Sequence, residues 1–199
     1  MSANIYLEGG GDSKELHIRC RAGFRKLLEN SGFTGRLPRL TACGGRAAAF
    51  NDFQTGHATK SETDYVAMLI DSEEPLADLE TAWQHLHLHD GWVTPTGATD
   101  EQVLFMTTCM ETWIVTDRTT LAEHYGSQLQ ESALPALQDP ESRTRQEVQQ
   151  KLAHATRNCV NAYAKGKRSF EVLGKLSPTE LKKHLPSFRR MLRILGEEL

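Results

Sequence analysis

Four acidic residues stand where the chain turns out of apolar runs. Glu8 follows Ile5–Leu7 and precedes three glycines in IYLEGGGDSKEL. Asp71 ends YVAMLI, with Glu73 two residues later in IDSEE. Glu111, in CMETW, lies just beyond QVLFMTT, six residues before Asp117. Hard cations such as Mg²⁺ prefer carboxylate oxygens and keep several waters, so two or three acids at one edge are enough to hold one. An Asp-x-Glu pair can aim both carboxylates one way if the chain leaves its strand there. Each acid also has a plainer use. Glu8 can face solvent or accept from the Gly10 and Gly11 amides. Asp71 can cap a following helix, with Glu74 three residues on completing a capping box. Glu111 can sit in a helix first turn, where acids are favoured.

The elements that must position these acids alternate. Asn4–Glu8 reads as a strand. A helix capped by Asp12 or Ser13 follows, carrying Leu16, Cys20, Phe24, Leu27 and Leu28 at helical spacing until Gly32. Arg39–Cys43 is a second strand, closed by Gly44-Gly45, and a short helix is expected over Arg46–Gln54. Tyr65–Ile70 is a continuous apolar run of buried-strand type. A helix is expected after Pro75 through Leu79, Trp83 and Leu86, then a fourth strand over Gln102–Thr108, and helix again from about Met110. Ser132–Ser142 reads as a loop. Helix is expected from Thr144 to the end, broken at Gly166, near Ser177-Pro178 and at Pro186. Strands alternating with helices predict an α/β fold with a mostly parallel sheet. In such sheets ligands gather at the carboxyl ends of the strands, where all of these acids would fall.

The 199 residues suit one domain with a helical extension, drawn as an α/β domain over 1–130 and a basic helical extension packed on it over 131–199. No apolar stretch approaches a membrane span and no signal peptide is evident, so a cytoplasmic protein without membrane attachment is expected. Cys20, Cys43, Cys109 and Cys159 are widely spaced and suit reduced, buried thiols. Net charge is −3, but from Gln146 onward eleven basic residues face five acidic ones, a tail of +6 behind a front of −9. That split suits carboxylates holding metal beside cations holding phosphate, or a solvated helical surface.

Weaker signals come from other residues. His85 and His89 in QHLHLHDG share a helical face with no third zinc ligand at suitable spacing, and a packing or surface role suits them better. Trp113 and Phe170 can stack on bases, but aromatics at helical spacing more often serve a core. Cys109 has no adjacent histidine to activate it.

The order E-G-G-G-D after the first strand, then a strand ending D-S-E, resembles the Toprim domain, a Rossmannoid fold shared by topoisomerases, bacterial primases and OLD-type nucleases. More closely, IYLEGGGDSKEL, ACGGR, LIDSEEP, CMETW and YAKGKRSFEVL resemble a family of short, stand-alone Toprim-like bacterial proteins known as a domain of unknown function. These are often encoded beside an ATPase in anti-phage defence islands. The resemblance runs from Ile5 to about Leu176, with one departure: Glu73 stands where Toprim proteins carry a second aspartate.

The resemblance implies a nuclease using Mg²⁺ or Mn²⁺, held by Glu8, Asp71 and Glu73, with Glu111 as a candidate extra ligand and Glu8 also available for acid–base work. Gly9, Gly10 and Gly11 would let a phosphate approach the backbone; no Walker loop is present. Arg46, Lys165, Lys167 and Arg168 are candidate phosphate or nucleic-acid contacts, with Lys165 and Lys167 placed to stabilise charge on the reacting phosphate. A helix break with snorkelled side chains is the alternative for these cations. The implied partners are DNA or RNA and an AAA/ABC-type ATPase, with a homodimer as the expected self-association. The alternatives are a degenerate, non-catalytic Toprim subunit that binds an ATPase or nucleic acid, and a phosphoryl-transfer enzyme acting on a small nucleotide.

Overall fold

A computed structural model describes residues 2–199. Four strands, β1 (Ala3–Gly10), β2 (Arg39–Gly44), β3 (Tyr65–Asp71) and β4 (Val103–Met106), form one all-parallel sheet in the order β2-β1-β3-β4. The first three crossovers carry α1 (Lys14–Leu28), α2 (Arg46–Thr59) and α3 (Ala82–Asp90). After β4 the chain is helical, with α4 (Met110–Thr116), α5 (Arg118–Tyr125), α6 (Arg145–Thr156), α7 (Lys167–Leu173), α8 (Pro178–His184) and α9 (Pro186–Glu198). The α/β class and largely parallel sheet expected from the sequence are therefore present.

Strand alternation divides the core into two layers. Ile5, Leu7, Leu69, Leu104 and Met106 point to one face, where α1 and the helices after β4 pack. Val66, Met68, Ile70, Val103 and Phe105 point to the other, against Phe50 and Phe53 of α2 and Trp83 and Leu86 of α3. All seven residues of β3 are buried, which is why its sequence is apolar without alternation. The larger layer draws on both proposed segments, with Val148, Phe188 and Ile194 sharing it with Ile5 and Phe24. Arg190, on α9, is 6% exposed and donates to the carbonyls of Val103 (3.0 Å) and Asp100 (2.9 Å), tying the last helix to the start of β4.

Local chemistry explains the element ends. Ser13 caps α1, its hydroxyl accepting from the Leu16 amide at 3.1 Å. Several expectations need correction. α2 continues to Thr59 rather than Gln54. α3 begins at Ala82, not near Pro75, because the Asp78 side chain accepts from the Glu80 amide at 2.9 Å and holds a turn there. Asp117 separates α4 from α5, its carboxylate accepting from Thr120 N–H (3.0 Å) and Ser177 N–H (2.7 Å). Residues 157–166 form turns where helix was expected, whereas the breaks at Gly166, Ser177-Pro178 and Pro186 fall where the sequence put them.

Candidate metal centre

The sheet order reverses between β1 and β3: the chain steps from β1 outward to β2, then returns to the other side of β1. Open parallel sheets leave a crevice at such a switch point, beyond the carboxyl ends of the two strands. Glu8 and Asp71 stand at those two ends. One oxygen from each of Glu8, Asp71 and Glu73 lies within 4.8 Å of the others.

Backbone geometry fixes each acid. The Asp71 amide donates to Glu8 Oε2 at 3.0 Å, and Asp71 Oδ1 accepts from the Met110 amide at 2.9 Å. Asp71 therefore caps α4, from a distant part of the chain, and not a helix that follows it with Glu74. Glu73 has φ 68°, the left-handed region that costs an L side chain about 1 kcal/mol or more, and its amide donates to Thr108 O at 2.9 Å. Such a conformation places the second acid back towards the first.

The glycine turn shapes the other wall. Gly10 has φ 96°, and a Cβ there would lie 2.6 Å from the His17 ring. At Gly44 (φ 85°) a Cβ would lie 2.7 Å from the Gly11 carbonyl oxygen. His17 Nε2 donates to that same carbonyl at 2.6 Å and holds the loop. The result is a cleft of about 390 Å³, lined by Glu8, Asp71 and Glu111, by Gly9–Gly11 and Gly44-Gly45, and by Lys165 and Gly166 opposite.

Burial dominates the electrostatics. Asp71, 5% exposed, is pushed up to about 8 by burial first and then by the charges of Glu8 and Glu111, with Arg145 and Lys165 opposing. Glu8 is also raised, by burial, against the lowering effects of Arg46 and the Asp71 amide. Burial thus raises the cost of ionising Asp71 and Glu8, and Arg46, Arg145 and Lys165 offset that cost in part, as a bound cation would.

Other residues expected at the site sit as follows. Arg46 approaches Glu8 Oε2 at 3.8 Å, but its guanidinium is committed to Asp90 (2.9 and 2.7 Å) and to the Asp71 carbonyl. It braces the acids instead of standing free for phosphate. Its charge and hydrogen bonds outweigh burial and hold Asp90 below the usual carboxylate range. Glu111 borders the cleft, yet is 1% exposed and accepts from the Tyr163 hydroxyl at 2.5 Å. Lys165 is exposed at the mouth. Lys167 faces a separate groove, and Arg168 turns back to the Ala162 carbonyl at 2.7 Å, so neither joins the cleft. His85 donates to the Ser72 carbonyl at 2.9 Å, steadying the turn after Asp71. Trp113 is fully buried against Phe188, and Phe170 packs beneath Gly9.

Two partners escaped sequence reasoning. Arg145, the first residue of α6, forms an ion pair with Glu73 and reaches to 3.9 Å from Asp71 Oδ2. Tyr163 fixes Glu111. Both arrive from more than fifty residues away, and no local spacing signals either.

The chain belongs to the family described as Domain of unknown function (DUF4276), whose model matches residues 7–196. No curated protein and no solved structure matches it.

Proposed function

We propose that the protein is a Toprim-like, metal-dependent phosphodiesterase that cuts DNA or RNA. The observation carrying this reading is the meeting of Glu8, Asp71 and Glu73 at the β1/β3 switch point, beside a glycine-walled cleft. The donor set is entirely carboxylate and gathers three oxygens at one strand-end crevice, which fits Mg²⁺ or Mn²⁺. Such an ion, when bound by these three residues, polarises a phosphodiester and acidifies water. The protein's own groups supply the rest. Gly9–Gly11 and Gly44 line the cleft with bare backbone that a phosphate would approach closely. Lys165 offers positive charge at the mouth. Glu8 Oε2 is engaged by the Asp71 amide, which leaves Oε1 for the ion or, where the ion does not take it, for a proton. The resemblance noted above extends the reading to an effector of bacterial anti-phage defence that works with an ATPase partner and forms a homodimer or is held by that partner.

A second reading, a non-catalytic subunit, has its own observation: Arg145 already neutralises Glu73, and Arg46 stands beside Glu8. Cleavage of plasmid DNA and total RNA with Mg²⁺ or Mn²⁺ separates the two. The phosphodiesterase reading expects cleavage by the wild type that is lost in Glu8→Ala and Asp71→Ala. Cleavage undiminished in both variants would remove the site assignment. An inert wild type that also fails to bind Mn²⁺ would establish the second reading.

A further inference from the structure

We propose that the face formed by α1 and α7 is the track along which a nucleic-acid backbone runs into the cleft; this rests on the phosphodiesterase reading for what happens at the track's end. The charge distribution comes first. Residues 12–30 and 164–176 carry nine Lys and Arg against four Asp and Glu, a balance of +5 in a chain of −3, so the remainder is −8. These two stretches lie far apart in sequence and are brought together by the close packing of α1 on α7. A Cβ at Gly23 would lie 2.5 Å from the Phe170 carbonyl oxygen, so the two backbones nearly touch. Along this seam runs an open groove of about 350 Å³, lined by Ala22, Gly23 and Gly174 and by four cations, Arg19, Lys26, Lys167 and Lys175, against one acid, Glu171.

Two further features favour a polyphosphate over an acidic protein or a lipid surface. The groove and the catalytic cleft share a wall, since Phe170 lines both, with Lys165 on the cleft side and Lys167 on the groove side of Gly166. A strand with one phosphate at the carboxylates would therefore find its neighbouring phosphates beside cations. The groove floor is also small and smooth, which suits a backbone that needs charge and room instead of side-chain pockets. Arg19, Lys26 and Lys175 form ion pairs with acids of their own helix turns, Glu15, Glu29 and Glu171, and Lys175 also reaches His124 Nδ1 at 3.1 Å; at such solvent-accessible positions these pairs are weak and readily exchanged for phosphate.

The test is fluorescence anisotropy with labelled single-stranded and duplex DNA and RNA, and with anionic phospholipid vesicles as a control, across a salt series. The triple variant Arg19→Ala, Lys26→Ala, Lys175→Ala is compared with wild type and with a charge-keeping variant, Lys26→Arg, Lys175→Arg. The expected result is binding of at least one nucleic acid by the wild type, weakened roughly tenfold or more in the triple variant, with the slope of log affinity against log salt reduced by about 2 to 3. The charge-keeping variant should bind as wild type does. Equal binding by wild type and triple variant, absence of nucleic-acid binding, or binding to vesicles alone would overturn the proposal. The two readings fail separately: charge-dependent binding with no cleavage leaves the track and removes the nuclease, whereas cleavage with unaltered binding in the triple variant does the reverse.

Discussion

At the scale of single residues, Asp71 is the most informative. A carboxyl held at about 8 by burial and by neighbouring acids weakens the fold. Its folded value lies above its unfolded value near 4, so the native state binds the extra proton. The stability present below pH 4 is therefore lost progressively as pH rises towards 8. Asp71→Asn keeps an oxygen to accept from the Met110 amide and cannot ionise. It is expected to raise the melting temperature at pH 8 by several degrees over wild type, with the difference vanishing below pH 4, while weakening divalent-cation binding at least tenfold. A melting series that shows the variant less stable at pH 8 would contradict this account of the site. Arg145 shows the same logic from the other side: an arginine against Glu73 is what a carboxylate cluster recruits when charge must be balanced from within the protein.

At the scale of elements, a second buried acid ties the loop before α6 to the last helix. Glu141 accepts from the Ser187 amide at 3.0 Å and from its hydroxyl at 2.5 Å, and burial raises it to about 7 despite those bonds. Between about 4.5 and 7 the folded state again binds more protons than the unfolded chain, so stability falls as pH rises through this window. Glu141→Gln should flatten that part of the profile, measured by urea unfolding at pH 5 and pH 8; a profile as steep as wild type would contradict it. The strands were legible because local pattern determines them. YVAMLI has no alternation and is buried on both faces, and the Gly-rich ends of β1 and β2 mark turns. The start of α3 was not legible, because the Asp78 side chain competes for a backbone amide that helical spacing alone would leave to the helix. The turns over 157–166 escaped notice for a similar reason: the Thr156 hydroxyl accepts from the Tyr163 amide at 3.0 Å, a tertiary choice made within a helical-looking segment.

At the scale of the whole molecule, the order β2-β1-β3-β4 converts two separate sequence signals into one place. Sequence reading put acids at strand ends but not which strands are neighbours, and it is the adjacency of β1 and β3 that brings Glu8 against Asp71. Glu111, by contrast, follows a strand one position further out and is drawn into the buried pair with Tyr163. The basic tail divides likewise. Arg190 serves packing, as Arg145 just before the tail serves charge balance, and the cations of α7 join those of α1 in a surface that residue order alone does not disclose. The acidic centre and the basic face then lie on adjoining walls, the arrangement the proposed phosphodiesterase reading needs.

The central claim is that Glu8, Asp71 and Glu73 form a divalent-cation site. Calorimetric titration with Mn²⁺ at pH 8 tests it most directly, comparing wild type with Glu8→Gln and Asp71→Asn, each checked for native melting behaviour. The account predicts saturable binding by the wild type that weakens at least tenfold in either variant, because each removes a charged ligand. Absence of binding in the wild type, or equal binding in all three proteins, would contradict it.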